Sequence, residues 1–307
     1  MTSSTDAEIS AGYELLLGDG GTVLSERDIV RVSGPDAARY LQGQLSQDVV
    51  AMTGESAWSF LLAPTGKVEA WLRVHRLHSD DYVLETDAGW GSAVLARLQR
   101  FLLRTKAEIA APESKVLRQT RWDPSLIRFD AEESEGSIVC TPVGPGVAGV
   151  DELVLRDATA HDLMDRSDMV PDASFERYRI AHGIVRMGRE LTEQTIPGEA
   201  GAWIIDASVS FTKGCYTGQE LVARIDSRGN NVPHPIRVLS LDAPCEVGDE
   251  VILDDTVVGV LTSVVPPMGE RPGLALGRVG RSVVEGVSVS VGLGRNGATV
   301  VAPGTVR

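Results

Sequence analysis

The C-terminal part of the chain, from residue 236 onward, consists of short β patterns broken at regular intervals by Gly and Pro. Short strands at even spacing with turn residues between them are typical of a small all-β unit, either a barrel or a sandwich. The segments that carry this pattern are IRVLSLD, DEVILDD, TVVGVLTSVV, GLALGRV and VSVSVGLG. We therefore expect residues 236–307 to form a C-terminal β-barrel.

The preceding residues mix strand and helix periodicities, which is typical of an α+β layer. Strands are predicted at 28–34, 57–64, 67–77, 81–87, 115–120, 125–130, 137–143 and 152–157. Helices are predicted at 33–45, 91–104, 159–166 and 174–183. We expect an N-terminal α+β domain over residues 1–105 and a second α+β domain over 106–235. The first ten or so residues are polar, and we expect them to be disordered.

Composition restricts the classes of partner. The formal net charge is −14, and a surface this acidic repels nucleic acid and anionic membranes. The sequence has no stretch of about 18 uncharged apolar residues, and MTSSTDAEIS has neither the basic nor the apolar region of a secretory signal. The three cysteines are too far apart for a CxxC metal knuckle or a disulfide framework. We expect a cytoplasmic protein that binds neither membrane nor nucleic acid directly.

Residues 213–220, KGCYTGQE, combine side chains that neither a core strand nor a flexible linker needs. Gly214 and Gly218 permit close approach of the backbone to a ligand or to a packed neighbour. Gln219 and Glu220 offer amide and carboxylate groups that suit the donor and acceptor edges of a heterocycle such as a pterin. These residues favour a functional site over a tight structural turn.

Basic residues near this motif suit an anionic ligand. Lys213, Arg224 and Arg228 supply positive charge that could hold an anionic tail. Upstream, four further arginines fall within thirteen residues: Arg177, Arg179, Arg186 and Arg189. Arginines on a helix are more often solvated than functional. The clustering of four arginines in an acidic protein nevertheless makes an anion-binding pocket an alternative interpretation.

Cys215 has two interpretations that the sequence supports about equally. A free cysteine is most often a buried, inert hydrophobe. Neighbouring cations such as Lys213 could instead activate the thiol for redox chemistry or transient ligation. Cys140 and Cys245 lie in strand-like or turn contexts, and we interpret both as structural.

The motif KGCYTGQE resembles the signature of the YgfZ proteins, which are bacterial relatives of the glycine-cleavage T-protein and of the mitochondrial factor that matures [4Fe–4S] enzymes. The resemblance covers nearly the whole chain and is weakest across 105–170. Its further segments are LVAR (221–224), RGNN (228–231), SGPDAARYLQGQLSQDV (33–49), APTGKV (63–68), YRIAHGI (178–184), IPGEAG (196–201) and GDEVILDDTVVGVLTSVV (248–265).

The resemblance implies a T-protein-like three-domain arrangement around a central channel that binds tetrahydrofolate, with the cysteine loop at the border of that channel. It also implies a role in making or repairing iron–sulfur clusters, linked to tRNA modification through iron–sulfur enzymes. Cys215 is the implied redox or cluster thiol. The implied folate-binding residues are Lys213, Tyr216, Gln219, Glu220, Arg224 and Arg228.

Two departures separate the chain from a T-protein. A T-protein carries an acidic pair just after the glycine turn, where this sequence has Ala70 and Trp71, with Glu69 as the nearby carboxylate. It also tends to carry a pterin-binding glutamate at the position of Ala181. Because such carboxylates stabilise charge during catalysis, their loss argues against aminomethyl transfer.

The leading hypothesis is a folate-binding accessory protein for iron–sulfur enzymes. Its cofactors are tetrahydrofolate and a transient cluster shared with a partner through Cys215, and its partners are iron–sulfur assembly proteins and client enzymes. No metal site made by this chain alone is expected, because its cysteines are not clustered. The alternatives are a folate-dependent aminomethyltransferase and an RNA-binding factor.

Overall fold

Strand β1 (Thr22–Ser33) organises the first half of the molecule, because three other strands pair with it in antiparallel register. In this computed structural model the described residues are 4–18, 20–52, 56–112, 116–122, 132–134, 137–140, 149–154, 169–227, 229 and 231–306. The helices are α1 Asp6–Leu17, α2 Ala37–Gln44, α3 Gly91–Arg100, α4 Asp172–Ala181, α5 Ala202–Ser208 and α6 Gln219–Asp226, with a 3₁₀ turn at Pro197–Ala200.

The other strands of this half are β2 Ser56–Leu62, β3 Val68–His78, β4 Asp81–Asp87, β5 Glu108–Ala110, β6 Val116–Trp122, β7 Glu132–Ser134, β8 Ser137–Cys140 and β9 Gly149–Val154. They form one sheet in the order β2-β3-β4-β1-β6-β9-β8-β7, with β5 also paired to β1. The sheet continues across residue 105, so the division into domains 1–105 and 106–235 stays a prediction. The strand expected at 125–130 and the helix expected at 159–166 lie outside the described residues.

The expectation of a disordered N-terminus is wrong from Thr5 onward. Helix α1 begins with a capping box in which the Thr5 side chain accepts from the Glu8 amide, while the Glu8 carboxylate accepts from the Thr5 amide. Two orphan amide groups of the first turn are thereby satisfied. Tyr13 and Leu16 are buried on the inner side of the helix, which packs against α4. This packing gives a short helix the apolar contact that it needs to be stable.

The two faces of the sheet differ in chemistry because successive side chains of a strand alternate between them. On β3, Ala70, Leu72 and Val74 belong to an apolar cluster, and helices α2 and α3 contribute buried residues to that cluster. The opposite face carries Trp71 and Arg73. It therefore presents aromatic and charged groups to the rest of the molecule.

A buried ionic cluster lies on this second face. The Arg73 guanidinium is 2.8 Å from the Glu85 carboxylate and 2.9 Å from that of Asp151, and all three side chains are almost fully buried. Arg27 also donates to Glu85 at 2.7 Å. Because β3 and β9 are separated by three strands in the sheet order, the contact between Arg73 and Asp151 requires the sheet to curl back on itself. Buried charges are tolerated here because each one is paired.

The predicted C-terminal barrel is confirmed. Its strands are β10 Ile236–Leu241, β11 Glu250–Leu253, β12 Thr256–Val265, β13 Gly273–Val279, β14 Ser288–Val291 and β15 Asn296–Val301. They close in the order β10-β13-β12-β11-β14-β15. Alternate residues such as Leu239 and Ala275 fill the interior, while Val238 and Leu276 face the rest of the protein.

The barrel is joined to the first half by both apolar and polar contacts. Its outward residues Val238 and Leu276 share one core cluster with residues of the sheet and of helices α4 and α5. In addition, the fully buried Arg179 of α4 donates to Glu190 at 3.0 Å and to Ser263 of β12 at 2.7 Å. Ser263 in turn donates to Glu190 at 2.5 Å. Among the described residues no helix is long and apolar enough to span a bilayer.

Candidate functional site

The Cys215 loop, residues 213–220, is hydrogen-bonded to the last turn of α2 and to the chain segment that follows it. The Lys213 ammonium donates to the backbone carbonyls of Gln42 and Leu45 at 2.7 Å and of Gln47 at 2.8 Å. It also lies 5.0 Å from the centre of the Tyr216 ring. Burial lowers the pKa of Lys213 to about 8, although the charge of Asp48 opposes this shift. Lys213 therefore serves as an internal tie, with all three of its donors directed at the protein.

Two glycines bring the second half of the loop against the turn between β2 and β3. Gly66 and Gly218 both have φ +82°, a left-handed backbone conformation. A Cβ on Gly66 would lie 2.4 Å from the Leu221 Cβ, and one on Gly218 would lie 2.6 Å from the Ala63 carbonyl oxygen. The loop and the turn can approach this closely only because both positions lack a side chain.

The predicted site residues of the loop differ widely in exposure. Cys215 is exposed, whereas Tyr216 is buried in the core, where burial raises the pKa of its hydroxyl to about 12. The Gln219 side chain accepts from the Tyr216 amide at 3.1 Å and so closes the turn. Glu220 in the first turn of α6 and Arg224 in its last turn are both exposed. Arg228 lies outside the described residues.

A cavity of about 540 Å³ lies on the aromatic and charged face of the sheet. We call it the tryptophan cavity, because Trp58 and Trp71 line it with their rings stacked at 4.2 Å between centroids. Trp71 is held in place by the bond from its Nε1 to the Ser208 hydroxyl at 2.9 Å. The volume lies within the range of small-molecule sites, which are commonly lined by aromatic groups with a few placed polar groups.

Asp87 and Arg27 contribute polar groups to the same wall. The Asp87 carboxylate accepts a hydrogen bond from the Met187 amide at 2.9 Å and forms an ion pair with Arg27. Its side chain stays 21% exposed. Because Arg27 also pairs with Glu85, the cavity wall is continuous with the buried ionic cluster.

Arginines from the predicted basic stretch gather around one carboxylate of the cavity. Glu176 of α4 contacts Arg179 at 2.5 Å, Arg189 at 2.6 Å and Arg186 at 3.3 Å. Burial alone would raise the pKa of Glu176, but the hydrogen bond from Arg179 and the charges of the three arginines outweigh it and hold the pKa below its usual value. Arg177 lies apart, donating to the carbonyls of Pro266 and Pro272.

The structure keeps the Cys215 loop and the tryptophan cavity apart. No residue of 213–220 lines the cavity. The two are joined through Gln47, whose carbonyl accepts from Lys213 and whose amide side chain donates to the Trp58 carbonyl at 3.3 Å. Within the described ranges, no three His, Cys, Asp or Glu side chains meet in a group that could hold a metal ion.

Comparison with known proteins gives relatives over most of the chain, although no family model matches it. The "Iron-sulfur cluster assembly factor IBA57 homolog, mitochondrial" of Pyricularia oryzae is 28% identical over 84% of this chain and 65% of its own length. The "tRNA-modifying protein YgfZ" of Vibrio vulnificus is 24% identical over 77% of this chain and 75% of its own length. This chain is a homologue of the IBA57 and YgfZ proteins.

The fold is that of the T-protein. The crystal structure of the glycine cleavage system aminomethyltransferase T from Bartonella henselae matches with a TM-score of 0.81 over 96% of this chain and 88% of that one, at 20% identity. The predicted α+β class and T-protein-like architecture are thus confirmed. The chain spans 65% and 53% of the length of two fungal IBA57 homologues, from Pyricularia oryzae and Neurospora crassa.

The structure shows the surroundings of the positions at which this IBA57 and YgfZ homologue differs from the T-protein pattern. Ala70 is fully buried, and Trp71 puts an indole in the cavity wall at one of the two positions where the T-protein pattern has its acidic pair. The nearby carboxylate of Glu69 is engaged by Arg97 at 2.5 Å. Ala181 is buried in the core. The carboxylates that line the cavity, such as those of Asp87 and Glu176, come from other positions in the sequence.

Sequence reasoning missed most of the cavity wall, including the polar and aromatic residues Trp58, Asp87 and Glu176. Trp58 and Asp87 lie in ordinary strand patterns, and no local motif distinguishes them. Glu176 immediately precedes the run of arginines, and this juxtaposition of charges was a usable signal.

Proposed function

We propose that this protein is a folate-binding accessory factor that supports the assembly or repair of iron–sulfur clusters in client enzymes, and through them tRNA modification. The observation that carries the proposal is an exposed thiol, Cys215, on a loop tied down by Lys213, in a chain whose relatives are named for cluster assembly and tRNA modification. Its partners would be iron–sulfur assembly proteins and client enzymes, and its predicted location is the cytoplasm.

Cys215 would act as a cluster ligand. Thiolates are the usual protein ligands of iron–sulfur clusters. A single exposed cysteine suits a cluster that is shared with a partner and passed on, because one thiolate alone cannot hold it. The fixed backbone around Cys215 lowers the entropic cost of presenting the thiol to that partner.

The tryptophan cavity fits a reduced folate. Trp58 is partly exposed and is backed by the buried Trp71, so it offers apolar aromatic surface to a pterin ring. Asp87 offers a carboxylate for the ring's donor groups, and the arginines near Glu176 suit the carboxylates of the tail. When bound, a reduced folate can carry one-carbon units. Direct folate contacts from Lys213, Tyr216, Gln219, Glu220, Arg224 and Arg228 stay a prediction.

The thiol is tested by replacing Cys215 in cells of the source organism. We expect Cys215→Ala to lower the activity of iron–sulfur enzymes while leaving the protein folded, because the side chain is exposed. Cys245→Ala is the matched control, since Cys245 is also a free and partly exposed cysteine. If iron–sulfur enzymes were fully active in both the Cys215→Ala and the Cys245→Ala strain, the proposed role of the Cys215 thiol would be contradicted.

The folate part is tested separately by anaerobic calorimetry with tetrahydrofolate. We expect saturable binding by both the natural protein and Cys215→Ala, because the loop does not line the cavity. Absence of binding in both proteins would contradict the folate part and leave a thiol-bearing scaffold.

A further inference from the structure

Two glycines near Cys215 are required by neither backbone conformation nor internal packing. Gly43, in the last turn of α2, and Gly214 both have φ outside the left-handed range that favours glycine. A Cβ at either position would meet nothing within 4 Å. Among the described glycines, only Gly20 shares both properties. Because glycine is less stable than alanine in a helix, Gly43 weakens α2 although nothing inside the protein requires it.

Gly43 lies against the Cys215 loop. Its carbonyl accepts a hydrogen bond from the Thr217 amide at 3.0 Å, which places α2 two residues from Cys215 along the loop. Gly214 directly precedes Cys215, and both Gly214 and the thiol are exposed. The two glycines therefore leave bare backbone beside the thiol, where a side chain would obstruct the approach of another molecule.

Two large apolar side chains are exposed next to the same loop. Phe211, two residues before Lys213, is 49% exposed, and Val50 is 56% exposed. Val50 is near the loop because its amide donates to the Gln42 side-chain oxygen at 3.2 Å, while the Gln42 carbonyl accepts from Lys213 at 2.7 Å. Phenylalanine is enriched in the cores of protein interfaces. These two side chains are therefore candidates for contact with a partner protein.

The two segments around Cys215 carry positive charge and no acidic residue. Residues 37–47 and 207–219 contain no Asp or Glu, in a chain that has 43 of them among 307 residues. Their charged side chains are Arg39 and Lys213. Arg39 is largely exposed and lies one helical turn from Gly43, so both residues are on the same side of α2.

The carboxylates that directly flank these segments in the sequence are Asp36, Asp48, Asp206 and Glu220. Asp36 pairs with Arg39 at 3.2 Å, and Asp48 accepts from the Gln42 side-chain amide at 3.0 Å. The other two are exposed at the outer ends of the second segment. An iron–sulfur cluster held by thiolates carries net negative charge. The surroundings of Cys215 are thus complementary in charge to a protein that presents such a cluster.

We propose that Gly43, Gly214, Val50 and Phe211 form, around Cys215, the docking face for a protein whose own cysteines hold the rest of a shared cluster. We call these residues the thiol face. The inference rests on the cluster role proposed above for Cys215. Within the described residues no group of side chains could complete the ligand set, so the partner's thiolates must reach the same cluster as Cys215. The bare glycines permit this close approach, and the apolar side chains exclude water around it.

The test compares variants of the thiol face with matched controls. Gly43→Phe places a bulky side chain on the face, and Gly20→Phe is its control, because Gly20 has equally open space and a φ outside the left-handed range. Phe211→Ser removes an apolar contact, and Leu293→Ser is its control on the exposed surface of the barrel. Thermal melts establish that each variant is folded.

The partner is identified by photo-crosslinking in cells of the source organism, with p-benzoylphenylalanine in place of Phe211 or, as a control, of Leu293. We expect the position of Phe211 to capture a protein that, when purified, holds an iron–sulfur cluster together with this chain. The visible absorbance of that cluster should be lost in Cys215→Ala. Phe211→Ser should weaken the complex about tenfold, the scale of an interface hot spot, and Gly43→Phe should abolish it. Gly20→Phe and Leu293→Ser should form the complex as the natural protein does.

The outcomes separate this inference from the proposal on which it rests. If Cys215→Ala leaves iron–sulfur enzymes fully active in cells, the cluster role fails and the docking face fails with it. If Cys215→Ala lowers their activity but Gly43→Phe and Phe211→Ser do not, Cys215 acts without this face, as it would with a small thiol as co-ligand, and the docking assignment alone fails. Capture of no protein, of a second copy of this chain, or of a protein that forms no shared cluster would also overturn the docking assignment.

Discussion

The glycine pair that joins the Cys215 loop to the β2–β3 turn offers the sharpest test of the structure, through Gly218→Ala. At φ +82° an L-residue costs about 1–2 kcal/mol. The new methyl group would also lie 2.6 Å from the Ala63 carbonyl and 2.8 Å from the Leu62 Cβ, and both neighbours are close to a packed core. Relief of such overpacking costs about 1–3 kcal/mol.

The two terms together predict a loss of about 2–5 kcal/mol in the free energy of unfolding. This is a large part of the ~5–15 kcal/mol by which domains are usually stable. The same loop contains its own control in Gly214. A Cβ there would meet nothing within 4 Å, and its φ is not in the left-handed range. Gly214→Ala should therefore be neutral or stabilise by about 0.4–1 kcal/mol, because alanine restricts the unfolded chain.

Urea unfolding followed by tryptophan fluorescence measures both variants. We expect the Gly218→Ala midpoint to fall clearly and the Gly214→Ala midpoint to stay or rise. If the two variants differed by less than about 0.5 kcal/mol, within the usual range for a neutral surface substitution, the close approach of loop and turn would be refuted.

Three further perturbations test other parts of the structure. Arg73→Leu should destabilise by about 3–5 kcal/mol because it leaves Glu85 in the buried cluster short of a partner, while Arg31→Leu at an exposed pair should cost less than about 1 kcal/mol in the same urea assay. The pKa of Glu176 is lowered by folding, so its stabilisation is present above about pH 4.5 and is lost as pH falls through the folded pKa; a Glu176→Gln variant should lose less stability on acidification, and an equal loss in both proteins would contradict this. Tetrahydrofolate should quench tryptophan emission, and Trp71→Phe should reduce that quenching; an unchanged signal would place the ligand away from this wall.

Much of the molecule follows from local sequence patterns, and the rest depends on distant pairing. The barrel was predicted because Gly and Pro punctuate its short strands. Helix α1 was missed even though Thr5 and Glu8 form a capping box that is visible in the sequence, because its polar surroundings suggested disorder. The buried cluster was not foreseen, since Arg73 and Glu85 fit the pattern of solvent-facing strand residues. Only the curl of the sheet, which brings Asp151 against Arg73, makes those positions interior.

The candidate site was predicted only in part, because local residue patterns indicate some of its residues while their arrangement depends on long-range contacts. The sequence pointed to the Cys215 loop because its residue types are unusual together. It also raised an anion pocket among the four arginines, of which Arg179, Arg186 and Arg189 line the cavity. The separation between loop and cavity could not be predicted, because it depends on how Lys213 is bound by carbonyls that lie about 170 residues away in sequence.

The docking of the barrel on the central core limits how the protein can be dissected. Cutting the chain before Ile236 would expose Val238 and Leu276 on one fragment and their apolar neighbours on the other. The cut would also remove Ser263 as the hydrogen-bond partner of Arg179 and Glu190. Each fragment would expose apolar surface that is buried in the whole protein, so separate expression should give insoluble or aggregating products. Amide hydrogen exchange should accordingly show β10, β13 and α4 opening together as one cooperative unit.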